Sequence, residues 1–440
     1  MGAQIPGGKT GSAPKVRRNV FAYMGEATLF GIGLVFASTT TILPGFVSRL
    51  TGSVVFVGLI VSLTEGAWRL PQLFVANWLA AKPRKKPYLT RAGAVARPAY
   101  LLVAIALWLG AARNPALGLT LFFLLHTMMY AALSIDSVVW WDVFAKAIAA
   151  ERRGRILGTS TALRGVISIG AGVLIAHLLS DAGPAFPGNF AVIFALAGAC
   201  FLLSLVSWTF VVEPEEPVPH RRTPWRAYLP ELLTILRESR AFRQLLIVRL
   251  LAGFDGLALG FYVLFGIREL GLPTEMIGVF AVVQTVGGIL AGMAFGWISE
   301  RIGNHRVIQI ATAASLTAPL VALFFLLAGL GATPIGGALY TYVFLAIGIF
   351  LNANFIGFAN FAVELAPPGA RATYVGLFNT LSGLVVVWPA IGGLLLERTS
   401  YFVLFSITAG LLLVAHLASW RLPAIRHLHA HEEAGKPPRL

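Results

Sequence analysis

Glu65 and Arg69 carry opposite charges in a stretch that is otherwise apolar, VSLTEGAWRLPQLF at residues 61–74. Glu65 precedes Arg69 by four residues, which is the favourable order for an ion pair on one face of a helix. Pro71 cannot donate a hydrogen bond to the carbonyl of Ala67, so the sequence predicts a kink beside the pair. Two interpretations are open: a structural or gating ion pair, and a direct contact with a ligand or proton.

Asp255 lies in a second apolar stretch and has no Lys or Arg three or four residues away. A carboxyl group in an apolar medium without a neighbouring cation can hold a proton. Arg249 is six residues earlier and would lie on a different face of a regular helix. Asp255 is therefore the strongest single candidate for a carboxyl group that gains and loses a proton.

The composition places these charges in a membrane protein. Hydrophobic residues make up 57% of the chain and charged residues 12%, with a mean hydropathy of +0.78, whereas about a quarter of a soluble domain is charged. The net charge of +15 does not indicate nucleic-acid binding, because the bases lie in short clusters between apolar runs. The sequence therefore predicts a lipid bilayer as a partner and no nucleic acid.

Twelve apolar runs reach the length of about 20 residues that is needed to cross a bilayer. Six precede a polar segment near the middle of the chain, and six follow it. They lie near 20–44, 54–79, 93–111, 116–142, 157–180, 189–212, 243–266, 276–298, 306–330, 336–362, 373–396 and 400–420. The predicted fold class is an all-α integral membrane protein with twelve transmembrane helices.

Basic residues are distributed unevenly between the two sides of these spans. The side opposite the N-terminal tail holds only Arg49, Arg113, Arg268 and Arg398, and most of the other bases lie on the side of the tail. By the positive-inside rule, the tail side is cytoplasmic. We expect both termini in the cytoplasm and the protein in a plasma (inner) membrane.

A weak internal repeat indicates that the chain consists of two six-helix bundles related by duplication. The segment from Phe144 resembles the segment from Phe361, and each joins the fourth span of its half to the fifth. Near Leu233 the connector between the halves becomes amphipathic, which is typical of either a helix on the inner leaflet or a solvated linker. The predicted domains are a tail, a bundle, a cytoplasmic linker, a bundle and a tail, at 1–19, 20–212, 213–242, 243–420 and 421–440.

The loop after the eighth span, GWISERIGNHR, has a recognisable spacing of Gly, acid, Arg, Gly and base. These positions are occupied by Gly296, Glu300, Arg301, Gly303 and Arg306. Through this motif and the six-plus-six layout, the chain resembles the major facilitator superfamily over essentially its whole length. The equivalent loop of the first half departs from the pattern, since Asn77 replaces the Gly and Ala81 the acid.

The resemblance implies a central cavity lined by the first, fourth, seventh and tenth helices, which carry Glu26, Asp136 and Asp255. A structural role is the first interpretation for Glu26, which lies near the inner end of its span. Asp136 and Arg164 have similar depths on consecutive spans, so either a structural pair or a gating or coupling role is open. Arg249 shares span 7 with Asp255, and at least one of these two side chains is expected to face helix packing.

Amide side chains in the later spans offer hydrogen bonds without charge. Asn352 and Asn354 lie in span 10 and Gln284 in span 8, where they can contact a polar solute or hydrogen-bond helices together. Arg97 is expected near the inner end of span 3, where a long basic side chain can snorkel to water.

The resemblance implies a secondary active transporter that moves a small solute by alternating access and functions as a monomer. Carboxyl groups within the spans make protons the expected coupling ion, and facilitated diffusion on the same scaffold stays open. The alternative is a non-transporting membrane assembly or signalling protein on the same scaffold. The sequence contains no nucleophile and base set, paired metal ligands or phosphate loop, so no enzyme activity, cofactor or metal is predicted.

Overall fold

The computed structural model describes residues 13–80, 82–214, 233–330, 333–367 and 371–424. Every element assigned within these ranges is helical. Within these described ranges, eleven helices are long and apolar enough to cross a membrane, and the second span adds a twelfth in two pieces. The predicted fold class is confirmed: the chain forms twelve transmembrane helices in two six-helix bundles.

The first half contains six spans and one short helix, Ile42–Leu50. Its spans are, in order, Ala13–Phe36, Val55–Arg69 with Gln72–Ala80, Lys86–Ala96 with Ala99–Trp108, Pro115–Ala147, Ala150–Leu179 and Gly188–Thr209. Span 1 ends earlier than predicted because hydroxyl side chains follow it. The Thr41 hydroxyl donates to Ser38 Oγ at 2.8 Å, and such local hydrogen bonds compete with a continuing helix.

The second half contains six spans of less regular helix. They are Arg240–Ala252 continuing to Glu269, Met276–Arg301, Asn304–Ala328, Pro334–Tyr340 continuing to Glu364, Arg371–Ser382 continuing to Arg398, and Tyr401–Ser419. Span 7 passes through a 3₁₀ turn at Gly253–Asp255 and a π-helical segment at Phe265–Glu269, and span 10 contains a π-helical segment at Asn354–Ala359. Such irregular turns in membrane helices often lie at functional sites.

Local signals in the sequence explain several helix ends. Asn114 caps span 4 by accepting hydrogen bonds from the amides of Ala116 and Leu117, and Pro115 occupies the first turn, where its missing N–H costs nothing. Span 2 is interrupted at Leu70 and Pro71, which separate its two helical pieces. The interruption lies where the sequence predicts a kink.

The connector between the halves lies largely outside the described residues. Residues 233–238 are helical, Leu233 is exposed, and Leu236 packs against a buried apolar cluster of the second half. Span 7 then begins at Arg240, with Ser239 accepting a hydrogen bond from the amide of Phe242. Residues 1–12, 215–232 and 425–440 lie outside the described residues. The limits of the predicted tails, bundles and linker therefore remain predictions.

The two halves pack closely at two helix crossings. A Cβ added to Gly58 in span 2 would lie 2.1 Å from the carbonyl oxygen of Pro389 in span 11, and one added to Gly278 in span 8 would lie 2.3 Å from the amide nitrogen of Ala176 in span 5. No side chain fits at either crossing, because backbone occupies the space. Small residues therefore set the approach of the two bundles.

Hydrogen bonds also join the halves at one end of the molecule, which we name the distal face. It carries the helix Ile42–Leu50, and the opposite end, where span 1 begins, is the terminal face. Arg49 Nη2 donates to Thr274 Oγ1 at 3.0 Å, Ser53 Oγ to Glu397 Oε1 at 3.0 Å, and Arg268 Nη2 to the carbonyl of Ser48 at 2.8 Å. The structure is therefore closed between the halves at the distal face.

Candidate functional site

A cavity of about 660 Å³ lies between the two halves, within the range of small-molecule sites. Spans 1, 2, 4 and 5 of the first half and spans 8 and 10 of the second half form its wall, and Arg97 of span 3 reaches it. Six ionisable or amide side chains of interest line it: Glu26, Glu65, Asp136, Arg164, Gln284 and Asn352. Spans 1, 4 and 10 take part as expected, but no residue of span 7 is among the lining residues that the structure describes.

Arg97 is the centre of a buried polar cluster in the cavity wall. Its Nη2 lies 3.1 Å from both Glu26 Oε1 and Asp136 Oδ2, and its Nη1 donates to Ser204 Oγ at 2.6 Å. Only 1% of Arg97 is exposed. Arg97 does not snorkel to the interface, so that expectation is wrong.

The Glu26–Arg97–Asp136 cluster contains two carboxyl groups and one guanidinium. Trp140 Nε1 donates to the second oxygen of Glu26 at 2.6 Å, whereas Asp136 Oδ1 is buried and has no hydrogen-bond partner among the described residues. Two ionised carboxylates would leave one excess negative charge, which is costly away from bulk water. The arrangement can therefore hold one proton, and the unpartnered oxygen of Asp136 is a place for it.

Asp136 and Arg164 do not form the structural pair that was one interpretation of the sequence. Asp136 is paired with Arg97 instead. Arg164 is exposed to the cavity and forms no ion pair or hydrogen bond within the described part of the chain. Adjacent spans of similar depth do not by themselves determine a contact, because helix rotation decides which side chains meet.

Glu65 and Arg69 form an ion pair on span 2, with Arg69 Nε 2.5 Å from Glu65 Oε2. The Arg69 guanidinium also lies 5.0 Å from the centroid of the Trp68 ring, a distance at which cation–π attraction operates. Glu65 and Trp68 line the cavity. The pair is thus beside the space between the halves rather than buried within one bundle.

Asp255 lies outside the cavity wall but close to other charges. Arg249 on its own span and Glu65 and Arg69 on span 2 act on it electrostatically, but no ion pair joins Asp255 to either arginine among the described residues, and its role as a proton site stays a prediction. The different faces expected for Arg249 and Asp255 apply to a regular helix, whereas span 7 turns through 3₁₀ geometry at Gly253–Asp255. Arg249 is 6% exposed, and its guanidinium lies 5.8 Å from the Phe358 ring centroid.

The amide residues both line the cavity and hydrogen-bond helices. Gln284 Oε1 accepts a hydrogen bond of 2.7 Å from the Thr40 hydroxyl, which joins span 8 to the first half. Asn352 Nδ2 donates to the carbonyl of Gly288 at 2.8 Å. Both interpretations of these amides therefore stay open, and the side chain of Asn354 is outside the described residues.

A second buried hydrogen-bond network, centred on His126, lies next to the cavity wall on the side away from the cavity. His126 Nε2 lies 2.8 Å from the Thr64 hydroxyl, and its Nδ1 lies 2.8 Å from the Tyr100 hydroxyl. The Tyr130 ring centroid is 4.6 Å from that of His126. Thr64 and Tyr130 line the cavity, so His126 connects spans 2, 3 and 4 just behind the cavity surface.

Comparison with known proteins assigns the architecture. A model of the Major Facilitator Superfamily matches residues 101–388, which is more than half of the 440 residues. The chain belongs to the Major Facilitator Superfamily. Members of the superfamily are membrane transporters, so the chain is a transporter embedded in a membrane rather than an enzyme. No curated protein matches the sequence.

Solved transporter structures share the superfamily fold with this chain. A D-xylose-proton symporter has a TM-score of 0.69 and 14% identity, covering 92% of this chain and 99% of its own. A mutant of the nucleoside transporter NupG has a TM-score of 0.68 and 13% identity, and the coverages are again 92% and 99%. A bacterial homologue of the iron transporter ferroportin in an inward-facing state has a TM-score of 0.67 and 14% identity, covering 92% and 98%. At these identities the likeness shows the fold alone.

The superfamily motif forms the turn between spans 8 and 9. Gly303 has φ of +116°, a backbone conformation that strains any other residue. Arg306 Nη1 donates to Gln309 Oε1 at 2.8 Å and its guanidinium lies 5.4 Å from the Trp420 ring centroid. Arg301 lies 5.4 Å from the ring of Trp297. The motif thus fixes the ends of spans 8, 9 and 12 at the terminal face.

Two further motif residues lie on span 8 itself. Gly296 faces open space, because a Cβ added there would meet nothing within 4 Å. Glu300 lies in the last turn of the same helix and is exposed. The turn that follows is joined to span 10 by Asn304, whose Nδ2 donates to Glu364 Oε1 at 2.8 Å.

Proposed function

We propose that this protein is a secondary active transporter that moves a small solute through the central cavity by alternating access, driven by protons. The observation that carries the proposal is the Glu26–Arg97–Asp136 cluster in the wall of a cavity between two bundles. A solute site at the interface of two halves can be exposed to either side by their relative movement.

The contacts between the two bundles support a state of the transport cycle in which the distal side of the cavity is closed. Hydrogen bonds join the halves at the distal face through Arg49 and Ser53. The state described is then the one in which the cavity is reached from the terminal face. Exchange to the other side would require these contacts to break and the terminal face to close.

Proton coupling follows from the charge balance of the cluster. Glu26 and Asp136 share the single guanidinium of Arg97. Protonation of either carboxyl group removes one negative charge from the cavity wall, so proton binding and solute binding affect one another electrostatically. Asp255 is the second candidate for the proton site, although Arg249 already lies within electrostatic range of it.

Transport assays with purified protein in liposomes test the proposal. A ligand-stabilisation screen over sugars, amino acids, organic acids and hydrophobic drugs first supplies a solute, and its uptake is then measured with and without a pH gradient. We expect wild-type uptake to accelerate with the gradient. Asp136→Asn or Glu26→Gln should remove that acceleration and retain solute exchange without a gradient.

Asp181→Asn, an exposed residue after span 5, serves as the control and should behave as the wild type. Uptake by the wild type that ignores the pH gradient would reject proton coupling. Ligand binding without any uptake would favour the non-transporting alternative. Loss of the gradient effect in Asp255→Asn, with Asp136→Asn unaffected, would move the proton site to span 7.

We further propose that the terminal face is cytoplasmic, that the protein resides in a plasma (inner) membrane, and that a monomer is the functional unit. The bias of Lys and Arg between the two faces supports the orientation. Arg49 is exposed at the distal face, so an Arg49→Cys variant in a Cys200→Ser background should react with a membrane-impermeant thiol reagent added outside cells. Reaction only after lysis would reverse the orientation.

A further inference from the structure

The Arg164 side chain of span 5 packs against Gly31 of span 1 at the wall of the cavity. A Cβ added to Gly31 would lie 2.0 Å from Arg164 Cδ and 3.2 Å from its Nε, so the arginine stem lies against the helix backbone where a side chain is missing. Arg164 is exposed, and it lines the cavity. Because Gly31 leaves this path open, the guanidinium is presented to the cavity from span 5.

Every other charge in the described wall of the cavity has a partner of opposite sign. Glu26 and Asp136 share Arg97, and Glu65 is paired with Arg69. Arg164 forms no ion pair or hydrogen bond among the described residues. An uncompensated cation inside a membrane domain is costly, and such residues commonly lie on substrate paths. Arg164 is thus the charge that a solute can neutralise.

The rest of the cavity wall is suited to the apolar part of a solute. Aromatic rings of Phe30, Trp68 and Tyr130 line the cavity, and the amides of Gln284 and Asn352 face it from the second half. A neutral polyol would leave Arg164 without a counter-charge and would meet few hydrogen-bond partners on the aromatic surfaces. A carboxylate attached to a ring or branched chain would satisfy both parts of the wall.

We infer that the solute is an amphipathic organic anion, a monocarboxylate with an aromatic or branched apolar body, and that Arg164 binds its carboxylate. The inference rests on the proposed transport function and names its substrate class. Glu65 balances Arg69, and the Glu26–Arg97–Asp136 cluster is neutral when it holds one proton, so Arg164 leaves one excess positive charge in the wall. A carboxylate that binds while the cluster holds its proton neutralises that charge, which favours the loaded state in a medium of low dielectric constant.

Binding of matched probes to the full-length protein in detergent tests the inference. Benzoate and cyclohexanecarboxylate are compared with benzamide, a neutral isostere, and with benzylamine, a cation, by thermal stabilisation and by calorimetry. We expect the carboxylates to bind and the neutral and cationic isosteres to bind at least about tenfold more weakly, since a charge-assisted hydrogen bond is lost.

Variants of span 5 and span 1 assign the effect to Arg164. Arg164→Gln should weaken carboxylate binding by more than about tenfold, and Arg164→Lys by less, because the charge is kept. Gly31→Ala should also weaken it by displacing the arginine stem. Arg155→Gln is the matched control, since Arg155 is exposed on the same helix outside the cavity wall. Thermal unfolding without ligand verifies that each variant is folded.

The possible outcomes separate the substrate class from the transport function. Unchanged carboxylate binding in folded Arg164→Gln overturns the assignment of Arg164, and tighter binding of benzamide or benzylamine overturns the substrate class. Either result leaves proton-driven transport of another solute intact. Carboxylate binding that depends on Arg164, without uptake into liposomes, supports the substrate class and overturns the transport function.

Discussion

Arg97 Nη2 lies 3.1 Å from Asp136 Oδ2, and this contact ties span 3 to span 4 in the wall of the cavity. The same nitrogen is 3.1 Å from Glu26 Oε1 on span 1. One guanidinium therefore holds three helices together and compensates two carboxyl groups. Its removal would leave both acids facing each other in a buried site.

Arg97→Gln should lower the free energy of unfolding by about 3–5 kcal/mol, the cost of breaking a buried ion pair from one side. Denaturant titration in detergent micelles measures the change. Arg91→Gln, an exposed arginine on the same span, should have no comparable effect. Adding Glu26→Gln and Asp136→Asn to Arg97→Gln should restore part of the stability, because no buried charge is then stranded. Further destabilisation in the triple variant would contradict this explanation.

The sequence does not place Arg97 correctly, because span 3 begins before its apolar run. Apolar content predicts a span from residue 93, which leaves Arg97 at the interface, but the helix begins at Lys86. Lys86 Nζ donates to the carbonyls of Thr209 and Val211 at 2.6 Å. A basic segment that is typical of a loop in the sequence therefore forms the first turns of the span. With the span starting at Lys86, Arg97 lies well inside it.

Contacts within one regular helix were predictable, and contacts between helices were not. Glu65 and Arg69 meet because their spacing fixes them on one face of span 2. Hydropathy likewise predicts the twelve spans, since the length of a span is set by the bilayer. The partner of Asp136 depends on how spans 3, 4 and 5 rotate against each other. Span 7 also makes a 3₁₀ turn at Gly253–Asp255 that no spacing rule anticipates.

The Glu65–Arg69 pair provides a second prediction. Arg69→Ala should reduce the initial rate of solute uptake by about tenfold, equivalent to about 1.4 kcal/mol, because it strands a carboxylate beside the cavity. The double change Glu65→Gln with Arg69→Gln should reduce the rate less, since an amide pair has no charge to compensate. Equal losses in the two variants would indicate that Glu65 or Arg69 contacts the solute or proton directly.

Gly303 provides a third prediction, because its φ of +116° is strained for a residue with a Cβ. An added Cβ would also lie 3.0 Å from His305 Nδ1. Gly303→Ala should destabilise the protein by about 1–2 kcal/mol, measured by thermal unfolding in detergent.

Gly296→Ala is the matched control, since nothing lies within 4 Å of its added Cβ. It should be neutral or stabilising, as alanine favours helix interiors. Equal destabilisation by both changes would show that the positive φ is not the cause.

The contacts at the distal face provide the fourth prediction. Arg49 Nη2 and Thr274 Oγ1 are 3.0 Å apart and belong to different halves, so alternating access requires them to separate. In a Cys200→Ser background, Arg49→Cys with Thr274→Cys should be joined by a short, reducible bis-thiosulfonate reagent. Cross-linking should abolish uptake, and reduction should restore it. Ligand binding should persist in the cross-linked protein, because the proposed mechanism has the cavity reached from the terminal face in this state. The two single-cysteine variants control for modification alone, and full transport by the cross-linked protein would contradict an obligatory opening of the distal face.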